Sequence, residues 1–124
     1  MQVDLVSYFN EQKGAGVLAT ADAQGKVNVA VYARPHMLAG DSAAFIMPEK
    51  LTWANLQANP HAAYLFQEDG AKAMGLRLYL TLERVESDPA RIAELRRSSH
   101  GHESDDRHLV IFKVDKVLPL VGAK

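Results

Sequence analysis

Apolar and polar residues alternate with a period of two over much of this chain, which is the pattern of half-buried β-strands. The clearest run is LRLYLTLERV (76–85), where Leu76, Leu78, Leu80 and Leu82 share one face and mostly polar residues share the other. A shift of one residue in register would expose all four leucines together. The run therefore predicts a strand whose leucine face belongs to the core.

Other segments predict a strand wherever the period is two and a helix wherever it lengthens. The further β-type runs are VLATA (17–21), VNVAVYA (27–33), AAFIM (43–47), HAAYLFQ (61–67) and HLVIFKVDKVLPL (108–120). The links DAQGK and LAGDS have the composition of hairpin turns. The predicted helices are residues 2–12, Thr52–Ala58 and a segment that begins at Asp88-Pro89, with Asp88 as its N-cap.

Six short strands with hairpin-length links lack the crossover helices that a parallel sheet needs. The pattern instead predicts a mostly β, small and mostly antiparallel barrel with short flanking helices, folded as a single domain over residues 1–124. The formal net charge of −1 gives no reason to expect nucleic acid or an anionic membrane as a partner. No apolar run approaches the length of a bilayer span, and the N-terminus lacks the pattern of a signal peptide, so we expect a cytoplasmic protein.

Cysteine is absent from the sequence, which excludes disulfides, thiolate metal sites and thiol catalysis. The segment HGHESDDRH (100–108) contains three histidines and three acids. It lacks the helical spacing that would bring His100 and His102 together, so we interpret it as a solvated loop and predict no metal site.

The junction FIMPEKLTWANLQANP (45–60) breaks abruptly from strand into helix and allows two interpretations. In the first, Pro48 ends the strand, Thr52 caps the helix and Lys50 is a solvated charge. In the second, the free N–H groups of the helix start, the Thr52 hydroxyl and the Lys50 ammonium bind a phosphate, with Arg34 near the same end of the barrel. The local sequence leaves both open.

The segment PEKLTWANLQANPHAAYLF, followed by RLYLTLERVESDP, resembles the pyridoxamine 5'-phosphate oxidase-related FMN-binding split-barrel family. The similarity covers approximately residues 14–121, and its central motif is Lys50, Thr52, Asn55-Leu56 and Asn59-Pro60. The resemblance implies a six-stranded antiparallel split β-barrel with flanking short helices. It also implies a homodimer with FMN at the subunit interface.

The resemblance further implies which residues contact the cofactor. Lys50 and Thr52 match the positions that hold the FMN phosphate in the family. The positions that line the flavin match the segment 31–36, which includes Tyr32, Ala33 and Arg34, together with Ile46 and Met47 at a strand end and Arg77 near the ring. No general acid or base stands out in the sequence, which is compatible with a flavin protein because the cofactor carries the chemistry. Many relatives carry Arg-Lys where this chain has Leu51-Thr52, so the implied phosphate-binding site of this chain has one positive charge fewer.

Three functions follow from the resemblance. The first is a flavin-dependent oxidoreductase that passes electrons or hydride between a reduced nicotinamide and a small acceptor. The second is a flavin- or haem-binding carrier or sensor, in which His36 or His61 would be the haem ligand and Trp53 could stack on a flavin. The third is a dimeric interaction module with an empty cofactor site. Because the chain stops at Lys124, without the family's substrate-binding extension, oxidation of vitamin B6 is not expected.

Overall fold

The chain folds into one antiparallel sheet that carries three short helices, seen in a computed structural model that describes residues 3–70, 72–96 and 107–122. The strands are β1 (Gly14–Ala21), β2 (Val27–Val31), β3 (His36–Ala39), β4 (Ser42–Met47), β5 (His61–Glu68), β6 (Gly75–Glu86) and β7 (His108–Pro119). The helices are α1 (Leu5–Glu11), α2 (Leu51–Ala58) and α3 (Pro89–Leu95). None of these helices is long and apolar enough to cross a bilayer.

The strands follow the order β2-β1-β5-β6-β7-β4-β3, and every neighbouring pair is antiparallel. The mostly β, antiparallel class predicted from the sequence is thus confirmed, but the described residues form seven strands rather than six. The additional strand is β3, which pairs only with β4 and is only partly buried. A four-residue edge strand without alternating burial gives no period-two signal, which is why the sequence pattern missed it.

The leucine face of β6 lies in the core as predicted for three of its four leucines. Leu76, Leu78 and Leu80 are buried, whereas Leu82 only packs against the margin of the core. The pairing of β6 with β7 shifts register between Leu82 and Arg84. Such a bulge turns the following side chains and ends the regular alternation.

Two apolar clusters lie on opposite faces of the sheet. The larger is inside the barrel and is rich in aromatic rings, including Phe9, Phe45, Tyr64, Phe66 and Phe112. The smaller lies under α3 and comprises Ala44, Ile92, Leu109 and Ile111, with Leu38, Ile46 and Leu95 at its edge. The predicted start of α3 is confirmed, because the Asp88 carboxylate accepts a hydrogen bond from the backbone N–H of Ala90.

Helix α2 is held on the barrel by the two asparagines of its motif. The Asn55 amide donates to the Thr20 hydroxyl of β1 at 3.0 Å, and both side chains are buried. Asn59 ends the helix, since its backbone N–H bonds the Asn55 carbonyl and its side chain accepts from the His61 N–H. These bonds fix the helix, and with it the position of its N-terminus.

Candidate functional site

The junction between β4 and α2 forms a tight turn that starts the helix earlier than predicted. The N–H of Lys50 bonds the Pro48 carbonyl at 2.9 Å, and the Lys50 carbonyl accepts from the N–H of Ala54. Lys50 is therefore the N-cap residue, with extended backbone and no capping bond from its side chain. The prediction that Thr52 caps the helix is wrong: Thr52 lies within the first turn.

Thr52 is only 5% exposed, and its hydroxyl lies within hydrogen-bonding range of the Tyr32 phenol, just beyond the end of β2. A buried hydroxyl needs a hydrogen-bond partner. For Thr52 that partner is the Tyr32 phenol and not a backbone N–H group of the turn. Burial raises the pKa of the Tyr32 phenol, while the bond with Thr52 and the positive charge of Arg107 act in the opposite direction. The phenol therefore keeps its proton at neutral pH and can donate a hydrogen bond.

An open cleft of about 440 Å³ lies in front of this junction. It is lined by Asn28, Ala30, Val31, Tyr32, Ile46, Pro48, Lys50, Leu51, Thr52 and Arg107. Four of the residues predicted from the family resemblance meet here, namely Tyr32, Ile46, Lys50 and Thr52. Tyr32 directly follows β2, Ile46 lies near the end of β4, and Lys50 and Thr52 lie at the start of α2. Arg107, which directly precedes β7, joins them.

The other four predicted site residues lie elsewhere. The Arg34 guanidinium donates to the carbonyls of Phe9 and Gln12 at 2.8 and 2.9 Å, at the end of α1. Arg77 donates to the carbonyls of Pro119, the last residue of β7, and of Gly122 beyond it. Met47 is fully buried in the barrel core, and Ala33 is an exposed residue next to Tyr32 that does not line the cleft.

The sequence interpretation missed Asn28, Ala30 and Arg107 as cleft residues. Asn28 and Ala30 share a strand face with Tyr32, so the period-two pattern of β2 could have indicated them. Arg107 carried no local signal, because only the pairing of β4 with β7 brings the start of β7 beside the β4–α2 junction.

The wall behind Tyr32 is tied to the barrel through its backbone. The Tyr32 N–H bonds the Gly16 carbonyl at 3.1 Å, and the Tyr32 carbonyl accepts the Tyr64 hydroxyl at 3.0 Å. A Cβ on Gly16 would collide with the Tyr64 hydroxyl and the Tyr32 carbonyl, so only glycine allows this close approach. The Tyr32 ring also makes an edge contact with Phe45.

The cleft is electropositive. None of its lining residues is acidic, and among the ion pairs between described residues none involves Lys50 or Arg107. Glu49 precedes Lys50 in the chain, but its carboxylate lies 2.7 Å from Nε2 of His108. Among the described residues neither cation forms an ion pair with this neighbouring acid, so the cleft suits an anionic ligand.

His108 connects the segments that flank the cleft. Besides its contact with Glu49, its Nδ1 lies 2.6 Å from the Ser87 hydroxyl. Its ring stacks on Trp53 of α2, with centroids 4.2 Å apart and planes inclined by 16°. This cluster joins the ends of β6, β7 and α2, so it fixes the start of β7 next to the cleft.

The remaining histidine candidates do not form a metal site in the described part of the chain. No three His, Cys, Asp or Glu side chains among the described residues are placed to hold a metal ion. His36 lies on β3 and His61 is exposed at the start of β5. His100 and His102 fall outside the described residues.

The sequence profile of the pyridoxamine 5'-phosphate oxidase family matches residues 4–120. The chain belongs to this family. No curated protein matches its sequence.

Solved structures support the same split-barrel fold for this member of the pyridoxamine 5'-phosphate oxidase family. An FMN-binding protein from Syntrophomonas wolfei superposes with a TM-score of 0.82 at 21% identity, over 98% of this chain and 86% of that one. An F420 reductase gives a TM-score of 0.72 at 20% identity, over 90% and 94% of the two chains. HupZ from Group A Streptococcus gives a TM-score of 0.72 at 18% identity, over 97% of this chain and 94% of that one. At these identities the likeness concerns the fold.

Proposed function

We propose that this chain binds FMN in the cleft, as a cytoplasmic homodimer, and uses it to pass electrons or hydride from a reduced nicotinamide to a small acceptor. The observation that carries the proposal is the start of α2 at an electropositive cleft, where Lys50, Thr52 and Tyr32 meet. Membership of a family of FMN-binding proteins suggests the cofactor. The similarity of the fold to an F420 reductase supports a redox role.

The helix end of the cleft fits a phosphate group. The first N–H groups of α2 have no partner within the helix, and the helix dipole is positive at this end. Lys50 is exposed beside them and adds a full charge. The Thr52 hydroxyl, already bonded to Tyr32, gives the phosphate a further polar neighbour.

The rest of the cleft fits a flat ring system. Its volume of about 440 Å³ is in the range of small-molecule and cofactor sites. Ala30, Val31, Ile46 and Leu51 supply apolar surface, and the Asn28 amide and the Tyr32 phenol supply hydrogen-bonding groups. An apolar wall with few polar groups is what binds and orients a planar cofactor.

A bound FMN would supply the electron- and hydride-transfer chemistry, and the protein would bind, orient and shield it. The lining residues include no carboxylate and no histidine, so the protonated Tyr32 phenol is the group best placed to hold a proton near a ligand. Its role in this proposal is that of a hydrogen-bond donor rather than a general base.

The homodimer is proposed from the apolar surface beside the cleft. Val27, Val29 and Val31 are 80%, 65% and 83% exposed on β2, which is an edge strand of the described sheet. They pair in register with Ala21, Ala19 and Val17 of β1, which extend the same face. Val31 and Leu51 also form the rim of the cleft. A second copy on this surface would bury the valines and cover the open side of a bound ring.

Titration of FMN into cofactor-free protein, followed by quenching of flavin fluorescence, tests the proposal. We expect saturable binding of one FMN per chain and bleaching of the bound flavin by a reduced nicotinamide under anaerobic conditions. Absence of saturable binding at tens of micromolar would contradict the FMN assignment. A red purified protein would favour haem instead, and a colourless one that fails to bind FMN would favour an interaction module.

A further inference from the structure

The cleft contains a second cation that comes from a distant part of the chain. Arg107 immediately precedes β7, yet it lines the same cleft as Lys50 and Thr52. Its charge reaches the Tyr32 phenol, whose pKa it lowers against the rise caused by burial. Arg107 thus lies within electrostatic range of the Tyr32 phenol, the partner of the Thr52 hydroxyl.

The guanidinium of Arg107 differs from those of Arg84 and Arg91, two other described arginines. Its Nε is buried and has no hydrogen-bond partner among the described residues. The Nε of Arg91 is also without a hydrogen bond, but it lies 3.4 Å from the Glu86 carboxylate, so its charge is paired. Arg84 is paired with Glu83 and Glu86. A buried guanidinium N–H without an acceptor is costly unless a ligand supplies one.

The surroundings of Arg107 favour a ligand of a particular charge and shape. A guanidinium donates two parallel N–H bonds to a phosphate, and an ammonium adds a point charge. Lys50 and Arg107 line one cleft but belong to different segments, so a group between them would be held from two sides. The hydrogen bonds of His108 to Ser87 and Glu49, and its stacking on Trp53, fix the residue that follows Arg107.

We infer that Arg107 is a phosphate-binding residue of this cleft, and that together with Lys50 it selects a ligand that carries a phosphomonoester. The inference deepens the proposed function, in which that ligand is FMN. It also gives the site a second cation although Leu51, which lines the same cleft, is uncharged. Replacing Arg107 should therefore weaken binding of the phosphate group and leave binding of the ring system unchanged.

The test compares FMN with riboflavin, which has the same ring system and no phosphate. We expect Arg107→Ala to weaken FMN binding about 10- to 100-fold, the effect of one charged hydrogen bond. Riboflavin binding should stay within about twofold of wild type. Arg84→Ala is the matched control, because it removes a surface arginine that is paired with two glutamates. Circular dichroism of each variant shows whether its fold is intact.

A second variant restores the charge from the opposite wall. Leu51 is 57% exposed at the cleft, so a lysine there can place its ammonium in the site without disturbing the core. We expect Leu51→Lys in the Arg107→Ala background to recover most of the lost FMN affinity. A double variant that folds but does not recover would indicate that Arg107 acts through its shape or packing, which contradicts phosphate binding.

The outcomes separate this inference from the proposed function. If wild type binds FMN and Arg107→Ala binds it equally well, the role of Arg107 is refuted and the flavin site stands. If wild type does not bind FMN, the flavin proposal fails, and thermal unfolding with inorganic phosphate then tests Arg107. A stabilisation by phosphate that is lost in Arg107→Ala supports an anion site for another phosphomonoester, whereas no stabilisation refutes both.

Discussion

The hydrogen bond between Thr52 and Tyr32 links the stability of the fold to the shape of the cleft, and Thr52→Val isolates it. Valine matches threonine in volume, so the packing of this nearly buried position is kept and only the hydroxyl is lost. The substitution removes one hydrogen bond and leaves a half-buried phenol short of a partner, which costs about 1–2 kcal/mol. For a domain of this size, that corresponds to a fall in Tm of roughly 3–8 °C.

The assay is thermal unfolding by circular dichroism in a phosphate-free buffer, so that ligand binding does not contribute. Thr52→Ser keeps the hydroxyl and is the matched control, which should retain the bond. Tyr32→Phe removes the other partner, and the double variant should show a coupling of about 1 kcal/mol in a double-mutant cycle. Since the bond with Thr52 lowers the pKa of Tyr32, alkaline titration should also show later ionisation of this phenol in Thr52→Val.

The expected fall in Tm for Thr52→Val is roughly 3–8 °C. A Tm within about 1 °C of wild type, together with no coupling in the double-mutant cycle, would refute the proposed role of the Thr52 hydroxyl. A large fall in Tm for Thr52→Ser would also count against this role of the hydroxyl. It would show that packing of the threonine methyl group makes the main contribution to stability. A helix cap at Thr52, the arrangement expected from sequence, predicts a different result, in which Tyr32→Phe leaves the effect of Thr52→Val unchanged.

Other substitutions test the remaining parts of the site. Lys50→Ala should weaken FMN binding about 10- to 100-fold. The Tm should change little, since the Lys50 side chain makes no capping bond. An affinity equal to that of wild type in a fluorescence titration would argue against a role of Lys50 in binding. Asn55→Ala should lower the free energy of unfolding by about 2–3 kcal/mol in urea, because it leaves the Thr20 hydroxyl buried without its donor; an unchanged midpoint would contradict this. Val29→Lys should turn a dimer into a monomer in sedimentation, because it places a charge inside an interface that should bury on the order of 1,600 Å²; a monomeric wild type would refute the dimer.

The parts of the fold that could be predicted from sequence are those governed by local rules. The alternation of leucines indicated β6, and Asp88-Pro89 indicated the start of α3, because each signal lies within a few residues of the structure that it specifies. β3 was missed because none of its four residues is buried and their burial does not alternate; in the described sheet it pairs with β4 alone. Its existence depends on tertiary pairing and not on its own pattern.

The candidate site shows the same division. Lys50 and Thr52 lie in the short motif at the junction and both line the cleft. The interaction of the Thr52 hydroxyl with Tyr32 had no local signal in the sequence, because Tyr32 follows a different element, β2. The family resemblance gave Arg34 and Arg77 as cofactor residues, and the structure shows their guanidinium groups bonded to backbone carbonyls of other segments. A sequence gives the charge of an arginine but not which segment lies within its reach.

The close approach at Gly16 has a consequence for how the cleft meets its ligand. Because Tyr64 reaches past Gly16 to bond the Tyr32 carbonyl, the rear wall of the cleft is ordered when the barrel folds and not when a ligand arrives. The conformational entropy lost in ordering that wall is then lost on folding, so it does not reduce the free energy of ligand binding. A ligand of this cleft would then be exchangeable: it could leave and return while the barrel stays intact.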